Sequence, residues 1–142
     1  MVYKDYQVYK RDRPSELSEK MMTQRTRRAT EAGFSEKELR YLMERSLGRL
    51  AFVCSDMQAH IMPVLFEFDG SYIYLSGWNL KYSERFQEVP STQTVTLLVD
   101  DVNSPARFVP RGIEITGRAE ATEKGDYLYV RIRPVAKTSW GL

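Results

Sequence analysis

Residues 49–76 read RLAFVCSDMQAHIMPVLFEFDGSYIYLS, and the period of this stretch decides the fold class. Apolar and polar side chains alternate in the runs RLAFVCSD, AHIMPVLFEF and YIYLSG, as they do in half-buried strands. The segments DMQ and DGS separate these runs and supply turn residues suited to hairpins. The stretch therefore predicts three consecutive antiparallel strands.

The downstream sequence contains three further strand patterns, TQTVTLLVDD, GIEITGRAEAT and YLYVRIRP. One short helix, KYSERFQEV, interrupts the series and ends before Pro90. The segment VNSPARFVPRG, which contains two prolines, predicts a long loop, and the tail VAKTSWGL shows no strand pattern. Six antiparallel strands with so few helices predict a mainly β fold with flanking helices, closed into a barrel because closure removes exposed sheet edges.

The residues before the barrel predict two helices. The first starts at Pro14 and stops at Gly33. For the second, Ser35 and Glu38 have the spacing of a capping box, and Gly48 is the predicted stop.

The composition fits a single soluble domain. The 142 residues match one ordinary domain, and 42% of them are hydrophobic and 28% charged. No apolar run approaches the ~20 residues that a transmembrane helix needs, and the first residues show no apolar signal segment. The lone Cys54 excludes an internal disulfide, so we expect a small core residue in a chain that works in the reducing cytoplasm.

The sequence offers little for metal or hydrolytic chemistry. His60 is the only histidine, and with a single cysteine there is no cluster for zinc. No G-x-S-x-G is present, so we expect His60 on a strand face or at the edge of a cofactor. The net charge of +2 argues against nucleic acid as a partner. The basic cluster TQRTRR predicts a solvated helix face, with phosphate binding or packing on a second subunit as the alternatives.

Residues 75–86, LSGWNLKYSERF, join a strand to the predicted short helix and form the first candidate site. Glycine lets a ligand approach the backbone, asparagine can cap the helix, and the first amide groups of a helix attract phosphate. The alternative is a plain strand end, cap and solvated lysine without a ligand. The functional interpretation predicts an anion site at Ser76, Gly77, Trp78, Asn79, Lys81 and Arg85.

Three further features extend the candidate site. Pro63 in the run IMPVLFEF cannot donate to a ladder, so it marks either a protected edge or a break whose backbone groups can bind a heteroaromatic ring. Arg111 follows the proline-rich segment and can bind an anion or pair with Glu114. Trp140 lies close to the terminus, where a tryptophan usually docks on another surface.

The order of these pieces resembles one known family. LGRLAFVCSDMQAHIMPVLFEFDGSYIYLSGWNLKYSERFQEVP is followed by TVTLLVDD, RGIEITGRAEA and VRIRPVAKTSWGL. The series resembles the pyridoxamine 5′-phosphate oxidase-like split β-barrel family, which binds flavin mononucleotide (FMN), and is most similar to its branch that uses the deazaflavin coenzyme F-420. The resemblance covers residues 34–142, which we assign to the split-barrel domain; residues 1–33 form an N-terminal arm and basic helix.

The resemblance implies a homodimer with two cofactor sites at the subunit interface. Along the isoalloxazine-type ring it places the backbone of Met62, Pro63, Val64 and Leu65. At the phosphate end it places Ser76, Gly77 and Asn79, with Lys81 as the cation. Arg111 and Trp140 would approach from the other subunit. Leu80 stands where the FMN enzymes of the family usually show an arginine, which suits the phosphodiester of F-420.

The implied activity is that of an oxidoreductase that transfers a hydride to or from a small electron-poor organic substrate, with FMN or F-420 as cofactor. No side chain is identified as the acid or base, although Tyr72, Tyr74 and Tyr82 are candidate proton donors. The alternative is a non-catalytic split barrel that binds flavin or haem, for which His60 would be the only histidine ligand.

Overall fold

The computed structural model describes residues 19–76, 89, 94–104, 106–124 and 127–142. Within these ranges two helices precede six strands. The helices are α1 (Glu19–Glu31) and α2 (Glu36–Met43). The strands are β1 (Leu47–Val53), β2 (Ala59–Phe68), β3 (Ile73–Ser76), β4 (Thr94–Ser104), β5 (Arg107–Lys124) and β6 (Tyr127–Trp140). No helix in this part of the chain is long and apolar enough to cross a membrane.

The six strands form a closed antiparallel barrel in the order β1-β2-β3-β6-β5-β4. The ring closes where β1 pairs with β4, with Ala51 opposite Thr96 and Arg49 opposite Leu98. The mainly β fold class and the six-stranded split barrel predicted from the sequence are therefore confirmed.

Alternating side chains of every strand fill the barrel interior, which is the reason for the period-two pattern in the sequence. In β2, for example, Val64, Phe66 and Phe68 are buried, whereas the residues between them are partly exposed. Other strands contribute fully buried residues to the same core: Leu50, Ile73, Leu75, Leu97, Ile113, Ile115, Val130 and Ile132.

The helix α2 begins as predicted and ends earlier than predicted. Ser35 Oγ accepts a hydrogen bond from Glu38 N at 3.2 Å, and Glu38 Oε2 accepts one from Ser35 N at 2.9 Å, which completes the capping box. Gly48 does not stop the helix; it lies in β1, where a Cβ would come within 2.9 Å of Leu97 Cδ1. The glycine lets β1 approach β4 closely, so its role is in packing.

Two segments predicted without strand structure are strands. The segment VNSPARFVPRG continues β4 and begins β5, with Val102 opposite Pro110. Pro110 lies before the first residue pair between β5 and β6, which is Gly112 with Trp140. Among the described residues, β5 therefore pairs only with β4 at Pro110, and only that edge of the strand requires backbone donors. The tail also belongs to β6, because pairing with β5 supplies a partner that the sequence pattern does not reveal. A register shift at Thr116/Gly117 disturbs its alternation.

The helix α1 packs against the turn between β2 and β3. Its Ala29 is 1% exposed and belongs to the core. Gly70 in the turn has φ +97, and a Cβ there would lie 2.5 Å from the carbonyl oxygen of Arg25. Only glycine fits both the backbone conformation and this close approach. The division of the chain into residues 1–33 and 34–142 stays a prediction.

Candidate functional site

The strand β2 carries the residues that were predicted to lie along a ring, Met62, Pro63, Val64 and Leu65, and its backbone orientation can be worked out. At one end of its ladder, Cys54 N donates to Gln58 O at 3.3 Å; at the other, Phe66 N donates to Ser46 O at 2.9 Å. The N–H and C=O groups of one residue in a strand point to the same edge, and successive residues alternate. Even-numbered residues of β2 therefore direct their backbone groups to β1.

The odd-numbered residues of β2 direct their backbone groups to the opposite edge. Leu65 does so opposite Ser76, the last residue of β3. Within the described residues, no strand pairs with this edge between Ala59 and Val64. Ile61 thus directs a donor and an acceptor to this edge, four residues before Leu65.

The same orientation explains the proline in this strand. Pro63 lies opposite Arg49 of β1, in the middle of a regular ladder. Its missing N–H would point away from β1, because Pro63 is an odd-numbered residue of β2. The proline therefore costs no bond to β1.

The predicted ring-binding and anion-binding segments are adjacent. Ser76 lies directly across from Leu65, so β3 delivers the chain to the side of the β2 edge. Ser76 is the only one of the predicted anion-site residues whose backbone is described. The other five lie outside the described residues: Gly77, Trp78, Asn79, Lys81 and Arg85. Their roles stay predictions.

Arg111 lies within β5 and forms an ion pair with a residue other than the expected one. Its Nε and Nη2 donate to Asp101 of β4 at 2.7 and 3.1 Å. The sequence-based alternative that Arg111 pairs with Glu114 is wrong. Asp101 and Arg111 are register partners on neighbouring strands, so their side chains leave the barrel on the same face, whereas Glu114 pairs across the sheet with Leu98.

Asp101 accepts hydrogen bonds from two arginines and a tyrosine, which lie on β5, on α2 and in the connection between α2 and β1. Besides Arg111, it accepts hydrogen bonds from Arg45 Nη2 at 2.8 Å and from the Tyr41 hydroxyl at 3.0 Å. The hydrogen bonds from Arg111 and Arg45 hold the pKa of the Asp101 carboxyl well below its usual range. Burial and the bond to Asp101 raise the pKa of Tyr41 to about 12, so this hydroxyl stays protonated and donates.

Trp140 stands beside this cluster. It pairs with Gly112, the residue after Arg111, and a Cβ on Gly112 would lie 2.7 Å from Trp140 Cζ2. Gly141, with φ +67, lies against the Arg111 side chain, since its Cβ would be 2.9 Å from Arg111 Cβ. The indole is 36% exposed. The structure thus brings together Arg111 and Trp140, the two residues predicted to act on a second subunit.

The two halves of the predicted site are far apart within one chain. The strands β1 and β4 lie between β2 and β5 on one side of the ring, and β3 and β6 on the other. Three strand spacings amount to about 14 Å along the barrel wall. A single chain therefore does not bring Arg111 to the Met62–Leu65 edge.

The remaining candidates have structural partners. His60 is half-buried at the end of β2, stacks on Phe52 with ring centroids 5.8 Å apart, and has Nε2 3.3 Å from Asp56 Oδ2. This is the strand-face position expected for it. Cys54 is buried in the core and forms no disulfide. Tyr74 is partly buried, and its pKa is raised by burial and by the nearby Asp69 charge.

Sequence reasoning missed Asp101, Arg45 and Tyr41. Asp101 and Arg111 were visible as opposite charges at the two ends of VNSPARFVPRG, but that segment was predicted to be a loop. Recognising it as a hairpin would have paired them. Tyr41 and Arg45 lie 60 and 56 residues away from Asp101, and no local pattern links them to it.

The closed six-stranded antiparallel barrel with its flanking helices defines the class of split β-barrels. The chain is 32% identical over 120 residues to the 5a,11a-dehydrotetracycline/5a,11a-dehydrooxytetracycline reductase of Streptomyces rimosus, a match that covers 77% of this chain and 84% of the relative. The chain belongs to the same family as that reductase, the pyridoxamine 5′-phosphate oxidase-like family suspected from the sequence. No family profile matches the sequence.

Solved structures show the same fold. A candidate pyridoxamine 5′-phosphate oxidase from Listeria innocua is 21% identical, with a TM-score of 0.60 over 73% of this chain and 95% of that one. An FAD-binding protein from Mycobacterium smegmatis is 19% identical, with a TM-score of 0.59 over 75% and 93%. An F420 reductase is 20% identical, with a TM-score of 0.53 over 68% and 93%.

Proposed function

We propose that this chain is a reductase that uses FMN or coenzyme F-420 to transfer a hydride to a small electron-poor organic substrate. One observation carries the proposal: Ile61 directs its backbone N–H and C=O to the edge of β2 with which no described strand pairs, four residues before the Leu65–Ser76 pair. The pyrimidine end of a flavin or deazaflavin ring has neighbouring C=O and N–H groups, so the residues present fit such a ring. Its membership of a family that contains a reductase supports an oxidoreductase function.

The bound coenzyme supplies the hydride chemistry, and the chain supplies position. The β2 backbone would orient the ring, and the buried side chains behind it, such as Val64, keep water away from the inner face. The charged tail of the coenzyme would lie at the end of β3 and the turn that follows, where Lys81 is the predicted cation. No described side chain is assigned as acid or base.

The name of the Streptomyces relative denotes reduction of a carbon–carbon double bond between positions 5a and 11a. We therefore propose an activated alkene as the substrate class for this chain. A hydride added to the electron-poor carbon of such a bond leaves an enolate, which then takes a proton from solvent or from a protein group. The lone buried Cys54 is consistent with work in the cytoplasm, which we propose as the location.

We also propose a homodimer in which each cofactor lies between two chains. Arg111 and Trp140 are about three strand spacings from the β2 edge of their own chain, so we expect a second chain to bring them to it. The outer face of β1 and β2 supplies a candidate contact surface, since Leu47, Val53 and Ile61 are 56%, 46% and 65% exposed. Exposed apolar side chains grouped in this way mark interaction surfaces.

The first experiment identifies the coenzyme. Purified protein is denatured and the released small molecule is weighed by mass spectrometry; the apo-protein is then titrated with FMN and with F-420. We expect binding of one of them, followed by turnover of an activated alkene when the coenzyme is reduced. The absence of both binding and turnover would refute the proposal, and a Soret band in the purified protein would support the haem-binding alternative instead.

Two variants test the predicted contacts. Lys81→Ala should weaken coenzyme binding by about fivefold or more, as expected for a charge-assisted contact of ~1 kcal/mol, whereas Lys37→Ala on the exposed face of α2 should not. Ile61→Lys should yield a monomer by light scattering, whereas Val135→Lys, an equally exposed apolar position on β6, should remain a dimer. If the two lysine variants bind the coenzyme equally well, the predicted role of Lys81 is wrong. If Ile61→Lys and Val135→Lys have the same oligomeric state, the predicted contact surface is wrong.

A further inference from the structure

We propose that Asp101 is a positioning residue, which holds the Arg111 guanidinium in one orientation so that it meets an anionic group of the coenzyme bound against the neighbouring subunit. The proposal rests on the proposed function and deepens it, because it names a residue that acts on the site through another. The observation behind it is the side-chain cluster of Asp101, Arg111, Arg45 and Tyr41 on the outer end of β4 and β5.

The first step of the argument is the geometry of the pair. Arg111 donates through Nε and Nη2 to the two different oxygens of Asp101, at 2.7 and 3.1 Å. Two parallel bonds fix the plane of the guanidinium as well as its position, which a single contact does not. Register pairing of Asp101 with Arg111 on neighbouring strands anchors both side chains on rigid backbone.

The second step is the support of Asp101 itself. Tyr41 of α2 donates to Oδ1 at 3.0 Å, and Arg45 donates to Oδ2 at 2.8 Å. The Tyr41 ring also lies beneath both cations, with Cζ of Arg45 and of Arg111 at 4.0 and 5.5 Å from its centroid. The carboxylate is therefore held by residues of α2, of β5 and of the connection between α2 and β1, which restricts the Arg111 guanidinium further.

The third step is charge. Two guanidinium groups share the Asp101 carboxylate, and the Glu44 carboxylate pairs with Arg45 at 3.1 Å, so the four charges balance. The Glu44 side chain is 61% exposed, and its charge is therefore screened by water more than that of Asp101. The attraction for an anion thus comes from the orientation of the Arg111 guanidinium rather than from a net charge of the cluster.

The last step concerns the hydrogen-bonding capacity of Arg111 that Asp101 does not use. Within the described part of the chain, its Nη1 makes no further hydrogen bond, and its side chain is 27% exposed. Trp140 stands next to it through Gly112 and Gly141. A fixed cation beside an aromatic ring can meet the charged and flat parts of one ligand together.

The test uses full-length dimeric protein and the coenzyme that the first experiment identifies. Asp101→Asn retains the size of the side chain but removes the charge, and it should raise the coenzyme Kd by about tenfold. Glu120→Gln is the matched control, since Glu120 binds Arg131 across β5 and β6 with two hydrogen bonds, at 2.6 and 3.2 Å. The control should leave the Kd within about twofold, because that pair belongs to no part of the proposed site.

A double-mutant cycle separates positioning from a structural effect. If Asp101 acts through Arg111, Asp101→Asn should add nothing to the Kd of Arg111→Ala. Equal multiplicative losses in both backgrounds, or an unchanged Kd in Asp101→Asn, would overturn the proposal. Thermal unfolding and light scattering verify that each variant is folded and dimeric. Asp101→Glu, measured in parallel, retains the charge and should recover part of the affinity if the variant with asparagine is unstable.

Failure of this inference is distinguishable from failure of the proposed function. A wild-type protein that binds neither FMN nor F-420 would refute the function. A wild-type protein that binds one of them, with affinity indifferent to Asp101, would refute only the positioning role.

Discussion

The side chain of Glu38 links helix α2 to strand β6, and its removal should be among the most damaging single changes in the described part of the chain. Glu38 is 6% exposed. Its Oε2 accepts from Ser35 N at 2.9 Å and from Lys137 Nζ at 2.7 Å, while Oε1 accepts from Ser139 Oγ at 2.8 Å. The capping residue of one helix is therefore also an anchor for the terminal strand.

The magnitude of Glu38→Ala follows from these contacts. The bond to Lys137 is charge-assisted and contributes about 1.5–3 kcal/mol, the bond to Ser139 about 1 kcal/mol, and half of the capping box about 0.5–1 kcal/mol. Lys137 is 26% exposed, so water can recover part of its loss, and we expect about 3 kcal/mol in total. With a urea m-value of about 2 kcal/mol/M, the unfolding midpoint should fall by about 1.5 M.

A comparison of two variants makes the test specific. Ser35→Ala removes the other half of the capping box and leaves the contacts to β6, so it should cost only about 1 kcal/mol. Both variants are unfolded in urea and followed by far-UV circular dichroism. A Glu38→Ala variant no less stable than Ser35→Ala would show that the link to β6 contributes nothing, and would refute the reasoning.

Three further outcomes follow from the same contacts. Burial raises the pKa of Glu38, but its hydrogen bonds outweigh this and lower it; hydrogen bonds also lower the pKa of Asp101. The stability that these two carboxylates contribute is present above about pH 4–4.5 and is lost as the pH falls through the lowered pKa values. In a plot of unfolding free energy against pH, Asp101→Asn should therefore flatten the acid limb. The pKa of Tyr41 is raised to about 12, so stability should fall between about pH 10 and 12, and Tyr41→Phe should lack this loss in alkaline unfolding. Gly112→Ala would place a Cβ 2.7 Å from Trp140; it should cost about 1–3 kcal/mol and shift tryptophan emission, and an unchanged spectrum would contradict the packing described.

The sequence predicted the barrel because burial of alternate residues leaves a period of two that can be read directly. It predicted the capping box because Ser35 and Glu38 are local to each other. It missed the extension of β6 to Trp140, of β4 to Ser104 and of β5 back to Arg107, because those strand ends are defined by their partners rather than by their own patterns.

The same distinction between local patterns and long-range contacts applies to the candidate site. Pro63 and Ser76 were singled out by proline and turn chemistry within short stretches, whereas the bounds Met62–Leu65 came from the family resemblance; the structure places Leu65 opposite Ser76. Only the resemblance implied that Arg111 and Trp140 act together on one site. The Asp101 cluster depends on contacts between residues 56 and 60 positions apart, which local patterns do not encode.

The strand pairings around the barrel differ in length, so local opening of the barrel should not be uniform. Among the described residues, β1 pairs with β4 from Arg49 to Ala51, and β3 with β6 from Ile73 to Leu75, whereas β5 and β6 pair from Gly112 to Lys124. The barrel is thus two three-stranded meanders joined along two short borders. Amide hydrogens at these borders should exchange with solvent before those of the long ladder. Local opening there would change the distance between the β2 edge in the first meander and the Asp101–Arg111 pair in the second.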